Sequence, residues 1–177
     1  MKNCTIFIGI FLFLLSLEGS SQNSFPESWE GNYKGELQIF GVDSVQMKLT
    51  MKLDVLKKSD SIYQWKISYD VFGKEDIRDY ELVLVDRKKG IYKIDEKNTI
   101  VIDSYYKMEI FTSFFEVKDA LIISSYTKNH DGILFELIAS ESNNPTITGD
   151  AKFNNEDIPP VKSYLVNGRQ RALLLKQ

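Results

Sequence analysis

From Val45 to Val55 the chain reads Val-Gln-Met-Lys-Leu-Thr-Met-Lys-Leu-Asp-Val, apolar and polar in unbroken alternation. Successive side chains leave a β-strand on opposite sides, so this period of two marks a strand with one buried and one wet face. A helix with the same pattern would scatter its apolar residues around the whole cylinder. The alternation returns in Ser61–Phe72, which sets Tyr63, Trp65, Ile67, Tyr69 and Val71 on one face. Further strands are predicted at Asp79–Val85, Ile91–Ile94, Thr99–Asp103, Met108–Glu116, Ala120–Thr127 and Gly132–Ala139. An opening strand covers Trp29–Phe40 and a closing one Val161–Leu175.

The breaks at Lys57–Asp60, Asp86–Gly90, Asp95–Asn98, Val117–Asp119 and Lys128–Gly132 are short and rich in turn formers. Such lengths join antiparallel neighbours, whereas parallel strands need crossovers of a dozen or more residues. The expected fold is all-β: an antiparallel up-and-down meander of about eight to ten strands that closes into a barrel, since closure removes both exposed edges. Ser140–Pro160 is polar and holds Pro145, Pro159 and Pro160, and reads as a long loop. The segment after it is one strand, or a hairpin turned by Asn167-Gly168, placed to pair with the first strand.

The stretch 27–40 reads ESWEGNYKGELQIF, with Trp29, Gly31, Tyr33, Gly35, Leu37 and Ile39 on one face. Glycine inside a strand marks a bend or a close backbone approach. Two of them facing inward let the first strand coil sharply, and Trp29, after a helical turn over Phe25–Ser28, plugs one end. In this stretch the chain resembles the lipocalins and fatty-acid-binding calycins, whose first strand opens with a Trp near a Gly after a short helical turn. It is similar also to exported bacterial barrels of unknown function, which imply no activity. The lipocalin pattern has Gly two before the Trp, where this chain has Glu27. Its Thr-Asp-Tyr motif is nearest to Arg78-Asp79-Tyr80, and its late Arg, which packs on the Trp, to Arg169 or Arg171. The resemblance implies a lipocalin-like barrel that is often secreted and holds one apolar ligand.

Met1-Lys2-Asn3 carries one positive charge and is followed by an apolar run, Thr5–Leu15, and small residues Gly19-Ser20-Ser21. These are the parts of a secretory signal peptide over residues 1–21, the alternative being an uncleaved N-terminal anchor. The run is shorter than the roughly 20 apolar residues of a transmembrane helix, so no transmembrane segment is expected after cleavage. Residues 22–177 then form a single barrel domain, exported to the periplasm, the outer surface or the medium. The one cysteine, Cys4, leaves with the leader, so the core must hold without disulfides.

Charge adds little. Lys and Arg number 22 against 25 Asp and Glu, and the longest basic run, Arg87-Lys88-Lys89, sits in a turn, so a nucleic-acid partner is not expected. Catalytic constellations are sparse. With no mature cysteine a thiol nucleophile is excluded, and His130, the only histidine, lies in a hairpin turn. A triad would have to use it; a zinc site needs more such ligands; as a single haem ligand it would have to reach the cavity. The carboxylate pairs Glu75/Asp76, Asp95/Glu96 and Glu156/Asp157 fall in turns or loops, where acids are ordinarily solvated. No phosphate-cradling loop or calcium loop is present. Neither catalysis nor a cofactor is expected.

Aromatic weight remains: 9 Tyr, 11 Phe and 2 Trp. On strand faces, Tyr33, Tyr63, Trp65, Tyr69, Phe111 and Tyr126 are the candidates to line a ligand cavity; the alternative is that the rings fill the barrel. The first reading gives a non-catalytic carrier of a small hydrophobic ligand. The second gives a structural or protein-interaction module of the cell envelope that meets a protein partner through its outer surface.

Overall fold

The computed structural model describes residues 24–177, so the leader assigned to residues 1–21 lies outside the described residues. A single 3-10 turn, Glu27–Trp29, leads into β1 (Gly31–Phe40). There follow β2 (Val45–Lys57), β3 (Ile62–Val71), β4 (Lys74–Asp86), β5 (Ile91–Asp95), β6 (Val101–Lys107), β7 (Ile110–Val117), β8 (Ala120–Lys128) and β9 (Gly132–Glu141). Four three-residue strands come next: β10 (Thr146–Thr148), β11 (Ala151–Phe153), β12 (Glu156–Ile158) and β13 (Val161–Ser163). The final strand is β14 (Val166–Lys176). Strands β1 to β9 pair in sequence, and β14 inserts antiparallel between β9 and β1, closing a ten-stranded barrel.

Inward positions follow the alternation: Met51, Leu53 and Val55 on β2, and Tyr63, Trp65 and Ile67 on β3, are buried. The outward rows of β1 and β2 carry Lys34, Glu36, Gln38, Lys48, Lys52 and Asp54. On these two strands the apolar row faces in and the charged row out, the reverse of a lipid-facing strand. Among the described residues no helix is long and apolar enough to cross a membrane.

Gly35 explains how β1 coils. A Cβ there would stand 2.0 Å from the Leu173 carbonyl oxygen on β14, and at Gly132 on β9 it would stand 2.1 Å from that of Leu174. Two glycines therefore let both neighbours of the closing strand press against its backbone.

Four features depart from the sequence reading. Strand β4 begins at Lys74 rather than Asp79, because Phe72-Gly73, both at positive φ, turn the chain in two residues and Val71 pairs directly with Lys74. Strand β6 runs through 104–107, since Ser104 and Tyr106 continue its inward row and the turn falls at Met108-Glu109, again both at positive φ. The expected loop over Ser140–Pro160 is an extension of β9 followed by a β-ribbon arm. In it β10 pairs with β13 and β11 with β12 around an Asn154-Asn155 tip at positive φ, the backbone of a two-residue hairpin turn. Asn167-Gly168 makes no turn: β14 passes through it with a register shift between Val166 and Gly168.

Candidate functional site

The two ends of the barrel are built differently. One end receives the chain's entry, the other carries the arm. At the entry end Trp29 is wholly buried, with Phe25 edge-on at 4.9 Å and Phe25 stacked on Tyr106 at 4.3 Å. Hydrogen bonds fix this plug. Arg87 donates from Nη1 and Nη2 to Glu27 Oε2 and Oε1 at 2.8 and 2.7 Å, and from Nη1 also to Ser24 Oγ and the Phe25 carbonyl. The Tyr63 hydroxyl donates to Glu27 Oε1 at 2.7 Å, Tyr33 to the Trp29 carbonyl at 2.9 Å, and Tyr92 to the Phe25 carbonyl at 3.1 Å. Lys128 and Lys176 donate to the carbonyls of Ser28 and Glu30, where the 3-10 turn ends. The bond from Arg87 holds the Glu27 carboxyl down at about 2, while burial, reinforced by Glu27, pushes the Tyr63 hydroxyl up to about 12. That end is shut.

Above the plug, toward the arm, lies a cavity of about 710 Å³, within the range of small-molecule sites. Its floor is aromatic. Trp65 meets Phe111 at 5.1 Å and Tyr126 edge-on at 5.1 Å, and Tyr126 meets Phe135 at 5.0 Å; the Tyr126 hydroxyl is held protonated well above its ordinary range, chiefly by burial. The walls mix Ile67, Ile94, Ile122 and Leu137 with Ser113 and Ser124, and the Ser104 and Ser113 hydroxyls share a 2.7 Å bond. Arg78, Tyr80 and Glu96 stand toward the mouth, whose rim is formed by the half-exposed Ile100, Val101, Phe114 and Val117.

Of the six residues singled out in the sequence, Trp65, Tyr69, Phe111 and Tyr126 line this cavity, and Tyr33 and Tyr63 do not. Both of the latter point inward, but at the height of the plug, where their hydroxyls are spent on Trp29 and Glu27. Sequence reasoning missed Arg78, Tyr80, Phe135 and Leu137. The inward register of β4, counted from buried Leu82, would have found the first two.

His130 lies fully exposed at the tip of the β8–β9 hairpin, at the plugged end and away from the cavity, its ring 3.1 Å from Asp131. Among the carboxylate pairs, Glu75 engages Lys52, Asp95 caps the Lys97 backbone, and Glu156/Asp157 sit on the arm; only Glu96 reaches the cavity wall. No group of three His, Cys, Asp or Glu among the described residues is placed to hold a metal. Arg169 pairs with Glu136 at 3.0 Å on the outer face, and Arg171 is exposed on the same outward row, so neither packs on Trp29; the basic side chains beside the plug are Arg87, Lys128 and Lys176. No protein-family model, curated protein or solved structure matches this chain.

Proposed function

We propose that this protein is an exported, non-catalytic carrier that holds one small, largely apolar molecule inside a lipocalin-like barrel. The observation that supports the reading is the 710 Å³ cavity with an aromatic floor, in a barrel plugged at one end. An eight-stranded barrel is just wide enough to be filled by its own side chains, and ten strands leave room beyond that. The apolar surfaces of Phe111, Ile122 and Leu137 would take up the body of a ligand, while Ser113 and Ser124 offer isolated hydroxyls. Export rests on the leader-like composition of residues 1–21.

The test is native mass spectrometry of the protein secreted by an exporting host, followed by denaturation to weigh any released molecule. A stoichiometric adduct of a few hundred daltons is expected. A bare protein that also gains no thermal stability from fatty acids, retinoids or haem would refute the carrier reading.

A further inference from the structure

Three strands break the alternation that governs β2. Strand β8 opens Ala-Leu-Ile-Ile and β9 opens Gly-Ile-Leu-Phe, so apolar side chains leave both of their faces. A strand apolar on both sides is ordinarily covered on both sides. The register gathers the outward residues into rows across β7, β8 and β9. Phe114, Ile123 and Ile138 lie side by side, and Ile110, Thr127 and Leu134 form a second row nearer the plugged end. Phe114 is 60% exposed and Ile123 40%. The two charges on this face are engaged within the chain, Glu116 by the Ser142 hydroxyl and Glu136 by Arg169. A bare apolar face of this kind marks an interaction site.

The arm carries a matching surface. In its outer ribbon the β11–β12 register sets Ala151, Phe153, Glu156 and Ile158 on one side, and Lys152 with Asp157, 3.7 Å apart, on the other. Phe153 is 68% exposed, and the arm strands pair only with each other. A two-stranded ribbon is marginally stable by itself. Each surface also holds a charge that has no ion pair among the described residues: Glu156 on the apolar side of the arm, and Arg171 on β14, in register with Glu136 at the border of the face.

The arm points away from its own face. Val166 pairs with Ser140, and the Ser140 hydroxyl donates to the Leu165 carbonyl at 2.7 Å, so the ribbon leaves the barrel in line with β9 and β14. From Thr146 to Phe153 it reaches about 26 Å, close to the length of the nine-residue β8. Area decides the occupant. A standard interface takes roughly 20–30 residues from each side. The outward rows of β7, β8 and β9 hold about half that number, and one side of the arm holds the rest. We infer that two copies of this chain associate about a twofold axis, each laying the apolar side of its arm on the β7–β9 face of the other, with Glu156 meeting the partner's Arg171. The twofold makes every such contact twice and closes the assembly at two. The inference uses the outside of the barrel and does not depend on the carrier reading.

The experiment is sedimentation velocity of the secreted protein over a concentration series. Monomer at about 1 µM and dimer at about 300 µM are expected, with a dissociation constant of about 10 µM, since ordering the arm offsets part of the contact. At concentrations near that constant, linkage moves Tm by less than about 2 °C, so the arm is read in the association and not in the melting point. Phe153→Asp on the arm and Ile123→Asp on the face should each weaken the dimer about tenfold or more. Glu156→Arg and Arg171→Glu should each weaken it severalfold, and the two together should restore it, a recovery that only a direct contact gives. All four sites are exposed, so the variant monomers should keep the wild-type Tm within about 2 °C. A chain still monomeric at the top of the series overturns the inference. So does a dimer that survives Ile123→Asp or replacement of residues 146–163 by a Gly-Ser linker, or a charge exchange that restores nothing.

Discussion

Protonating or replacing Glu27 should loosen the plugged end, and the loss should vanish in acid. Glu27 accepts both arms of the Arg87 fork and the Tyr63 hydroxyl, and its carboxyl is held at about 2 against an ordinary 4.5, first by the Arg87 bonds. Converted directly, such a shift is worth about 3 kcal/mol. The side chains of Glu27 and Arg87 are, however, 23% and 37% exposed, and solvent screens an ion pair there. A discounted contribution of about 1–2 kcal/mol remains, in line with hydrogen bonds to charged groups. A depressed carboxylate pKa adds stability that is fully present above the unfolded-state value near 4.5 and is lost as pH falls toward 2. Glu27→Gln should therefore lower the unfolding free energy by about 1–2 kcal/mol at pH 7, a fall of roughly 2–8 °C in Tm for a domain of this size. The gap should shrink as pH falls below about 4.5 and close only below about 2, where Glu27 is protonated and resembles the amide. Urea unfolding followed by tryptophan fluorescence at pH 7, 4 and 2.5 gives the three differences. A gap that is the same at all three pH values, or absent at pH 7, would show that the ion pair does not hold the plug.

Three other outcomes follow from the geometry. Gly35→Ala places a methyl 2.0 Å from the Leu173 carbonyl and must part β1 from β14, so thermal unfolding should show a loss of about 2–4 kcal/mol. Replacing residues 146–163 by a short Gly-Ser linker removes strands that are exposed throughout and pair only with each other, so calorimetry should find Tm within about 2 °C of wild type. Leu137→Trp extends a cavity-lining side chain into free space, so on the carrier reading uptake of a fatty-acid or retinoid probe should fall at least about tenfold in a calorimetric titration while Tm holds, the usual 1–3 kcal/mol cost of overpacking a full core being avoided.

The barrel was legible because its strands obey a period of two over long runs. Val45–Val55 shows its inward Met51, Leu53 and Val55 without any knowledge of neighbours. The arm was hidden for the opposite reason. A two-stranded ribbon wet on both faces needs no apolar alternation, so Thr146–Ser163 carries polar and proline-rich composition that reads as loop. The Asn167-Gly168 pair carries a hairpin signal in isolation, yet β14 is hydrogen-bonded on both sides, to β9 and to β1. At the pair itself the β9 ladder continues, through Gly168 and Val166, and a register shift there takes the place of a turn. The cavity residues show a further limit. Alternation tells which side chains face inward but not how high in the barrel they stand, because height is set by the stagger between strands. Tyr63 and Trp65 are two residues apart on one inward face; one is bonded into the plug and the other is the cavity floor. Arg78 was accessible by parity with Leu82, but a charge two positions beyond Tyr80 looks like a strand end until β3 is paired beside it.

The difference between the two ends also bears on why the cavity exists at all. Kept dry, about 710 Å³ at the roughly 24 cal/mol per Å³ found for core cavities would cost about 17 kcal/mol, more than the whole stability of a typical domain. A cavity of this size is sustainable only where it opens to solvent or to a guest; the plugged end is tied down by Arg87, Tyr33 and Tyr92, and the cavity opens at the other. Water entering through the mouth finds partners at Arg78, Tyr80, Glu96, Ser113 and Ser124, but meets Phe111, Ile122 and Leu137 deeper in, which offer it no hydrogen bond. On the carrier reading an apolar guest would displace that poorly bonded water at about 0.8 kcal/mol per methylene buried. About ten methylenes then supply roughly 8 kcal/mol, against an association cost of about 4–15 kcal/mol. On the carrier reading the apolar term alone would leave binding weak, and a retained guest would need a polar contact to the wall as well.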